Sequence, residues 1–509
     1  MDEHPIKKPH IRLVPQGIEI EADAGTPLQD LLYLNGVEFP CGGRGQCNRC
    51  KVRVVEGELP VADNAGLSDA ETAAGYRLAC RHQVGGDVAL EVQQWNTPIL
   101  IDDSTFEFTP EDGWGIAIDL GTTTLAAQLL DLRTAEVLAV RTALNAQARY
   151  GSDVMSRICH GVSFDGLWQL TRGIRKQLGN LIRNLCSDAR GSRQSIRRIM
   201  IVGNTPMQHM FCGFDLSPLA YYPFEPKHVD TACFNAKELD WRLPKNPSVS
   251  FLPCLGGFVG SDILAGLLAT GMHRHDDLSV LVDLGTNGEI VVGNCDRMLC
   301  ASTAAGPAFE AARISMGMQA TTGAISEVLP GSDGALECYT IGGGTPTGIC
   351  GSGLVDAVAT LLNLGQIHYS GRFKDQQRQI TLEDPVVLTQ RDVRELQLAK
   401  GAVAAGITML VRQLGAEIAD VSRVMVAGAF GNYVRYTSGR RIGLLPFREE
   451  IIKPVGNTAL LGAKRSLFHN DDKDPEYREL RSRVEHVALS TDSEFQDRFV
   501  DQMMFPENA

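Results

Sequence analysis

Four cysteines in the first ninety residues have a spacing that could do redox chemistry. Cys41, Cys47 and Cys50 fall within ten residues and Cys80 follows, giving C-x5-C-x2-C-x29-C. Three thiolates from one sharply bent loop and a fourth from a distant turn can converge on an iron–sulfur cluster. Glycines at 42, 43 and 45 permit the bend and let backbone amides face an anionic cluster. A structural zinc site is the competing chemistry, but it usually draws on two C-x2-C pairs, and only one is present. The other nine of the thirteen cysteines are scattered, several of them in apolar runs (Cys212, Cys254, Cys300), as small core residues are in a reducing compartment.

A second chemistry is written twice. Trp114–Leu132 and Leu278–Val292 each read as an apolar strand, then Asp-Leu-Gly-Thr, then another apolar strand. Such a hairpin turn exposes backbone amides, a hydroxyl and one carboxylate. Amides and Thr suit phosphate oxygens, and Asp119 or Asp283 suits a Mg²⁺ bridging them. One D-x-G-T is weak, because Asp-Gly turns occur in any β protein. Two copies 164 residues apart imply a duplicated fold closing on a nucleotide.

These residues need elements to hold them. Residues 10–23 alternate as a β-hairpin, 28–34 as a short helix, 51–55 and 88–92 as strands, and Ser68 with Glu71 marks a capping box. A small mixed sheet wrapped on one helix is the economical fold for residues 1–92. Residues 93–113 read as a linker, and 114–509 as the duplicated unit, with its lobes meeting near residue 278. Within it, Asp153 and Arg157 have the spacing of a helical ion pair, although a substrate role fits them equally. Glu310 could orient an attacking water or cap a following helix. The glycine-rich 342–353 and Gly256–Asp262 stay ambiguous between nucleotide loop and ordinary turn. After Ala463 the sequence gives a charged stretch, a strand over 485–489 and a helix over 494–504.

Composition narrows the function classes. A formal net charge of −13 argues against nucleic acid, which is bound through clustered Lys and Arg. No apolar run approaches the roughly 18–20 residues of a membrane span, and the N-terminus has no signal-peptide h-region. A cytoplasmic protein with protein partners is expected.

The cysteine loop resembles the plant-type [2Fe–2S] ferredoxin motif, with one extra residue between the first two ligands. That resemblance implies a β-grasp ferredoxin-like domain. Five segments resemble, in order, the signatures of the acetate-kinase, sugar-kinase, heat-shock-protein and actin superfamily: Asp119–Thr124 (first phosphate loop), Met200–Pro206 (first connecting segment), Asp283–Gly288 (second phosphate loop), Val426–Gly431 (adenosine loop) and Gly456–Ala463 (closing helix). The expected fold class is therefore α+β multidomain, a β-grasp domain followed by a two-lobed actin/acetate-kinase-like α/β ATPase.

Over residues 8–505 the chain resembles the reductive activators of corrinoid-dependent methyltransferases, through stretches such as NAQARYGSDVMSRI (145–158), VGNTPMQHMFCG (202–213), AAGPAFE (304–310), TGICGSGLVDAVA (347–359) and VAGAFGNY (426–433). The resemblance implies ATP-dependent transfer of one electron from the [2Fe–2S] cluster to a Co(II) corrinoid protein, giving Co(I). It implies Cys41, Cys47, Cys50 and Cys80 as cluster ligands. Gly121, Thr122, Thr123, Gly203, Asn204, Gly285, Thr286, Asn287, Gly428, Ala429 and Gly431 would surround ATP. Asp119, Asp283 and Glu310 would serve catalysis with Mg²⁺. An upstream electron-donor protein or reductase is a further expected partner, and a homodimer is compatible with the reading. Some members carry an added middle domain, and only about twenty residues separate the two halves of this chain. The alternatives are an activator of another low-potential enzyme, a small-molecule kinase with a redox-sensing domain, and a non-catalytic scaffold.

Overall fold

A computed structural model describes residues 8–92, apart from 15–17, 34, 36, 38–44, 46–49 and 60–66. It also describes residues 108–507, apart from 152, 190–194, 286, 307, 312, 333, 375–376, 432, 469–474 and 490–491. The first domain is a five-stranded mixed sheet of β1 (His10–Val14), β2 (Ile18–Glu21), β3 (Lys51–Gly57), β4 (Tyr76–Leu78) and β5 (Val88–Val92), in the order β2-β1-β5-β3-β4. The expected β1–β2 hairpin is antiparallel, and β5 returns parallel to β1 beside it. Alternation along β1 turns Ile11 and Leu13 inward, where they join Leu28 and Leu32 of helix α1 (Leu28–Tyr33). Helix α2 (Asp69–Ala73) has the expected capping box between Ser68 and Glu71.

Two six-stranded sheets follow, built to one plan. In the first lobe, β6 (Trp114–Leu120), β7 (Thr124–Asp131) and β8 (Val137–Leu144) form an antiparallel meander. Strands β9 (Ile196–Val202), β10 (Ala232–Asn235) and β11 (Ser248–Phe251) extend it on the β6 side, in the order β10-β11-β9-β6-β7-β8. In the second lobe, β12 (Ser279–Leu284), β13 (Gly288–Gly293) and β14 (Met298–Thr303) repeat the meander. A three-stranded sheet of β15 (Ala324–Pro330), β16 (Leu336–Thr340) and β17 (Gly348–Ile349) and a hairpin of β18 (Gln379–Glu383) and β19 (Val386–Thr389) are inserted next. Strands β20 (Arg423–Ala427) and β21 (Ile452–Gly456) then extend the main sheet parallel to β12. Strand β22 (Val484–His486) closes its far edge against β14. Strands β6 and β12 are buried almost throughout, as strands covered on both faces must be.

Helices cover both sheets. The first lobe carries α3 (Val154–Gly161), α4 (Phe164–Asp188), α5 (Thr205–Cys212), α6 (Ser217–Ala220) and α7 (Ser261–Thr270). The second carries α8 (Gly351–Asn363), α9 (Gln390–Gln413), α10 (Gly428–Gly431), α11 (Tyr436–Arg441), α12 (Thr458–Ser466), α13 (Pro475–Arg483) and α14 (Ser493–Gln502). Helix α12 crosses α7 at very close range. A side chain on Gly462 would sit 2.0 Å from the Ala265 carbonyl oxygen, and one on Gly266 would sit 3.0 Å from Thr458 Oγ1.

That crossing corrects one expectation. The segment 200–206 was assigned as the first connecting segment, yet the helix paired with α12 is α7, which follows the ambiguous Gly256–Asp262. By topology Gly203, at the end of β9, is the counterpart of Gly428 at the end of β20: each strand lies parallel to the Asp-bearing strand of its own lobe. The tail also differs in detail, since part of the charged stretch is helix α13. One contiguous cluster of buried apolar side chains includes Leu28 and Leu32 of α1 together with Leu264 of α7 and Leu460 of α12. The small domain is thus packed against the larger unit. Among the described residues, no helix is long and apolar enough to cross a membrane.

Candidate functional site: two phosphate hairpins and a cysteine pair

The two Asp-Leu-Gly-Thr turns lie at the ends of β6 and β12. In the first, the Gly121 amide donates to the Thr124 carbonyl (3.1 Å), closing the turn. Its backbone is then fixed from outside. Asn145 Nδ2 donates to the Gly121 carbonyl (2.9 Å) and Arg157 Nη1 to the Thr122 carbonyl (2.7 Å). Asn204 Nδ2 donates to Thr122 Oγ1 (3.0 Å). Thr122 is therefore buried and engaged, while Thr123 is exposed at the tip. Arg157 also donates through Nε to the Gly151 carbonyl (2.8 Å), and Asp153 caps α3 through the Ser156 amide. The Asp153 charge acts on Arg157, and the arginine also braces the first turn.

The second turn is simpler: the Gly285 amide donates to the Asn287 carbonyl (3.1 Å), and the Asn287 side chain hydrogen-bonds Glu289. Thr286 lies outside the described residues. Glycines crowd behind both turns. A side chain on Gly203 would sit 2.6 Å from the Leu120 carbonyl oxygen. Gly428 adopts φ +83°, a region that favours glycine, and a side chain there would sit 2.6 Å from Asp283 Oδ1. Gly431 packs on Val426, and Ala429 lies between the two glycines in α10. Phe430 stacks on Phe309 with ring centroids 4.8 Å apart.

Four carboxylates act on one another across this cleft. Asp119 and Asp283 come from the turns, Asp262 from the first turn of α7, and Glu289 from β13. Desolvation raises Asp119 to about 6, opposed by a hydrogen bond from Asn457 Nδ2 (2.8 Å). Asp283 is raised to about 7 by desolvation and then by the Asp119 charge. Asp262 and Glu289 are also raised, first by desolvation and then by their acidic neighbours. Asp119, Asp262 and Asp283 keep partial solvent access, whereas Glu289 is buried. Such a cluster attracts cations strongly.

Among the described residues, however, no three His, Cys, Asp or Glu side chains are arranged to hold a metal ion by themselves. Carboxylate oxygens of this kind are the one or two protein ligands that a Mg²⁺ carried by phosphate groups ordinarily takes. Glu310 is exposed on a turn, and among the described residues that follow it directly none is helical.

In the small domain, Cys80 sits on the 3-10 turn Ala79–Arg81 and Cys50 at the start of β3. Their sulfurs are 3.4 Å apart, too far for a disulfide. Two thiolates about 2.3 Å from one tetrahedral metal would be separated by roughly 3.8 Å, so this pair suits two ligands of one iron. Cys41 and Cys47 lie outside the described residues. Gly45, between them, has φ +70° and packs on the Arg81 side chain.

Sequence reasoning passed over three residues of this site. Asp262 was inside a segment left ambiguous, and Glu289 and Asn457 were inside quoted motifs without roles. Asn457 was detectable as a helix N-cap, and it accepts from the Leu460 amide (2.8 Å) while holding Asp119. Glu289 had no such signal, because only strand register places it opposite Asp283.

Three family models match the chain in succession: the 2Fe-2S iron-sulfur cluster binding domain over residues 11–85, the RACo middle region over 114–275, and the C-terminal ASKHA domain of RACo over 277–509. The corrinoid activation enzyme RamQ of Eubacterium limosum is 36% identical over 427 residues, which cover 78% of this chain and 71% of RamQ. The [Co(II) methylated amine-specific corrinoid protein] reductase of Methanosarcina barkeri is 26% identical over 427 residues, 77% of each chain. Among solved structures, a reductive activator for a corrinoid, iron-sulfur protein superimposes with a TM-score of 0.69 at 27% identity, covering 98% of both chains. That superposition spans nearly all of both chains, and the region termed middle in the family, matched over 114–275, is the first lobe.

Proposed function

The chain belongs to the family of corrinoid-protein reductive activators, and from that premise we propose that it uses ATP to drive one electron onto an inactive Co(II) corrinoid protein, restoring the Co(I) state. The observation that carries this is the joining, in one chain, of a cysteine pair spaced for a shared iron and a duplicated phosphate hairpin. A bound [2Fe–2S] cluster supplies a single electron near roughly −400 mV. Driving an electron to an acceptor roughly 100–200 mV more negative is uphill by about 2–5 kcal/mol, which nucleotide-dependent closure of two lobes can provide.

In this reading Cys41, Cys47, Cys50 and Cys80 hold the cluster. Gly121 and Gly285 close the two turns through their amides so that the turn tips face phosphate oxygens, with Thr123, Thr286 and Asn287 beside them. Thr122 positions the first turn through Asn204. Asp119 and Asp283 hold Mg²⁺ and its waters, with Asp262 across the cleft from them. Gly428, Ala429 and Gly431 leave room for the nucleoside, and Glu310 stands ready to approach the attacking water on closure. Residues 1–92 form the redox unit, 93–113 the connection and 114–509 the ATPase, whose lobes meet near 278. The protein works in the cytoplasm, taking electrons from an upstream donor protein.

The test is optical. A Co(II) corrinoid protein mixed with the cluster-loaded chain, a reductant and MgATP should convert to Co(I), and should not do so without ATP. Equal conversion in the absence of ATP would sink the coupling.

A further inference from the structure

A hydrogen bond joins the redox domain to the ATPase across 292 positions of sequence: the Thr322 amide donates to Asp30 Oδ1 at 3.0 Å. Asp30 lies on α1, which packs directly against the turn carrying Cys80. Thr322 lies two residues before β15 of the second lobe, in a bend held by Gly323 N–H to Ile341 O (2.9 Å). A side chain at Gly342, which opens the glycine-rich 342–353 segment, would sit 2.8 Å from Thr322 Cγ2. That segment lies against the Asp30 partner, a role the sequence left open.

The lobe offers a short physical route from this contact to the nucleoside loop. Strand β15 carries Glu327, which pairs with Arg435 at 3.1 Å, and Arg435 also reaches the buried Asp356 of α8 at 3.8 Å. Arg435 follows Gly431 by four residues. At the head of α8, a side chain on Gly351 would sit 1.8 Å from the Phe309 carbonyl oxygen and 3.3 Å from the Phe430 ring. Any shift of the 428–435 segment is thus transmitted to β15 and the bend before it by packed groups with little slack.

Two features mark the contact as separable. Thr322 Oγ1 is buried without a hydrogen-bond partner, and so is Nε2 of Gln29, the neighbour of Asp30. A permanent interface normally pairs such groups. Leu28 and Leu32 of α1 share an apolar cluster with the larger unit, and such packing is non-directional, whereas the Asp30 bond is directional.

We propose that Asp30 and the Thr322 amide form a latch that sets the orientation of the redox domain on the ATPase, and that nucleotide binding between the lobes opens it. This rests on the ATP reading above and adds the element through which ATP would control where the cluster points. Hydrogen–deuterium exchange on the full, cluster-loaded chain tests it without any corrinoid partner. Without nucleotide, the amides of 319–326 should be protected in the natural protein and exchange about tenfold faster in Asp30→Ala. Asp30→Asn, which keeps an acceptor oxygen, should fall between them and guards against a misfolded alanine variant. Adding Mg²⁺ and a non-hydrolysable ATP analogue should raise exchange at 319–326 in the natural protein and leave Asp30→Ala unchanged. Equal exchange in all three proteins would overturn the latch. If the analogue protects 121–124 and 285–288 but leaves 319–326 unaltered, nucleotide control of the latch is wrong. If those loops gain no protection, the ATP reading itself fails and takes the proposal with it.

Discussion

The two Asp-Leu-Gly-Thr hairpins share a topology and differ in charge. Strand β6 pairs with β7 so that Asp119 stands opposite Ala126, and β12 pairs with β13 so that Asp283 stands opposite Glu289. Directly opposed residues share one face of a sheet, so the second hairpin places two carboxylates side by side where the first has one. The bracing differs in the other direction. The first turn is held by Asn145, Arg157 and Asn204, and its aspartate by Asn457. The second has the glycine wall of Gly428 against Asp283 instead. Duplication has thus produced one turn braced from outside by side-chain hydrogen bonds and one whose aspartate stands opposite a second carboxyl.

The largest expected effects come from removing either aspartate. Asp119→Asn and Asp283→Asn should each lower ATP hydrolysis by about 10²–10³-fold, the usual loss when a charge-stabilising group leaves an active site. Asn457→Ala should reproduce part of the first loss and none of the second. If it impairs hydrolysis as deeply as Asp283→Asn, the hairpins are not braced separately.

Glycine substitutions come next. Gly428→Ala places a side chain at φ +83° against Asp283 and should destabilise the chain by about 1–2 kcal/mol while weakening nucleotide binding. Gly203→Ala meets a backbone oxygen at a similar distance without a positive φ, so its loss in Tm should be smaller.

The pH dependence of nucleotide binding follows from the raised carboxyls. Bound Mg²⁺ favours their ionised forms, so affinity for MgATP, measured by calorimetry, should rise about tenfold between pH 5.5 and 8 as Asp119 and Asp283 lose protons near 6 and 7. Asp119→Asn removes the like charge that raises Asp283 and should move the Asp283 part of that rise to lower pH. A profile unchanged by this substitution would remove the electrostatic coupling between the hairpins.

The smallest effect concerns the nucleotide-free protein. A carboxyl whose folded pKa is raised binds more protons folded than unfolded, so stability falls as pH climbs from about 4 through the folded values. Glu289→Gln should therefore raise the Tm at pH 8 more than at pH 5, by an amount equivalent to about 0.5–1 kcal/mol. Ala126→Glu, which installs the same pairing in the first hairpin, should lower it.

Much of this was legible in the residues. The hairpins announced themselves because Asp-Leu-Gly-Thr lies between apolar strands, and the redox domain because its glycines and cysteines leave few other uses. The role of α7 was hidden, since its small residues (Ser261, Ala265, Gly266) have meaning only against those of α12. The pairing of Asp283 with Glu289 was hidden by register, which a sequence does not print. Helix α13 was missed because PEYRELRSR shows no apolar stripe to signal one.

The α7–α12 crossing has a mechanical consequence. Where Gly462 meets Ala265 the two backbones touch with no side chain between them, so the helices cannot slide without a clash and can turn about the point of contact. The joint behaves as the pin of a pair of shears: a few degrees of rotation at the pin become a displacement that grows with distance along each blade. The cleft aspartates lie near the pin and move least, which keeps their mutual geometry through the stroke. The outer edges of the lobes, away from the crossing, travel furthest.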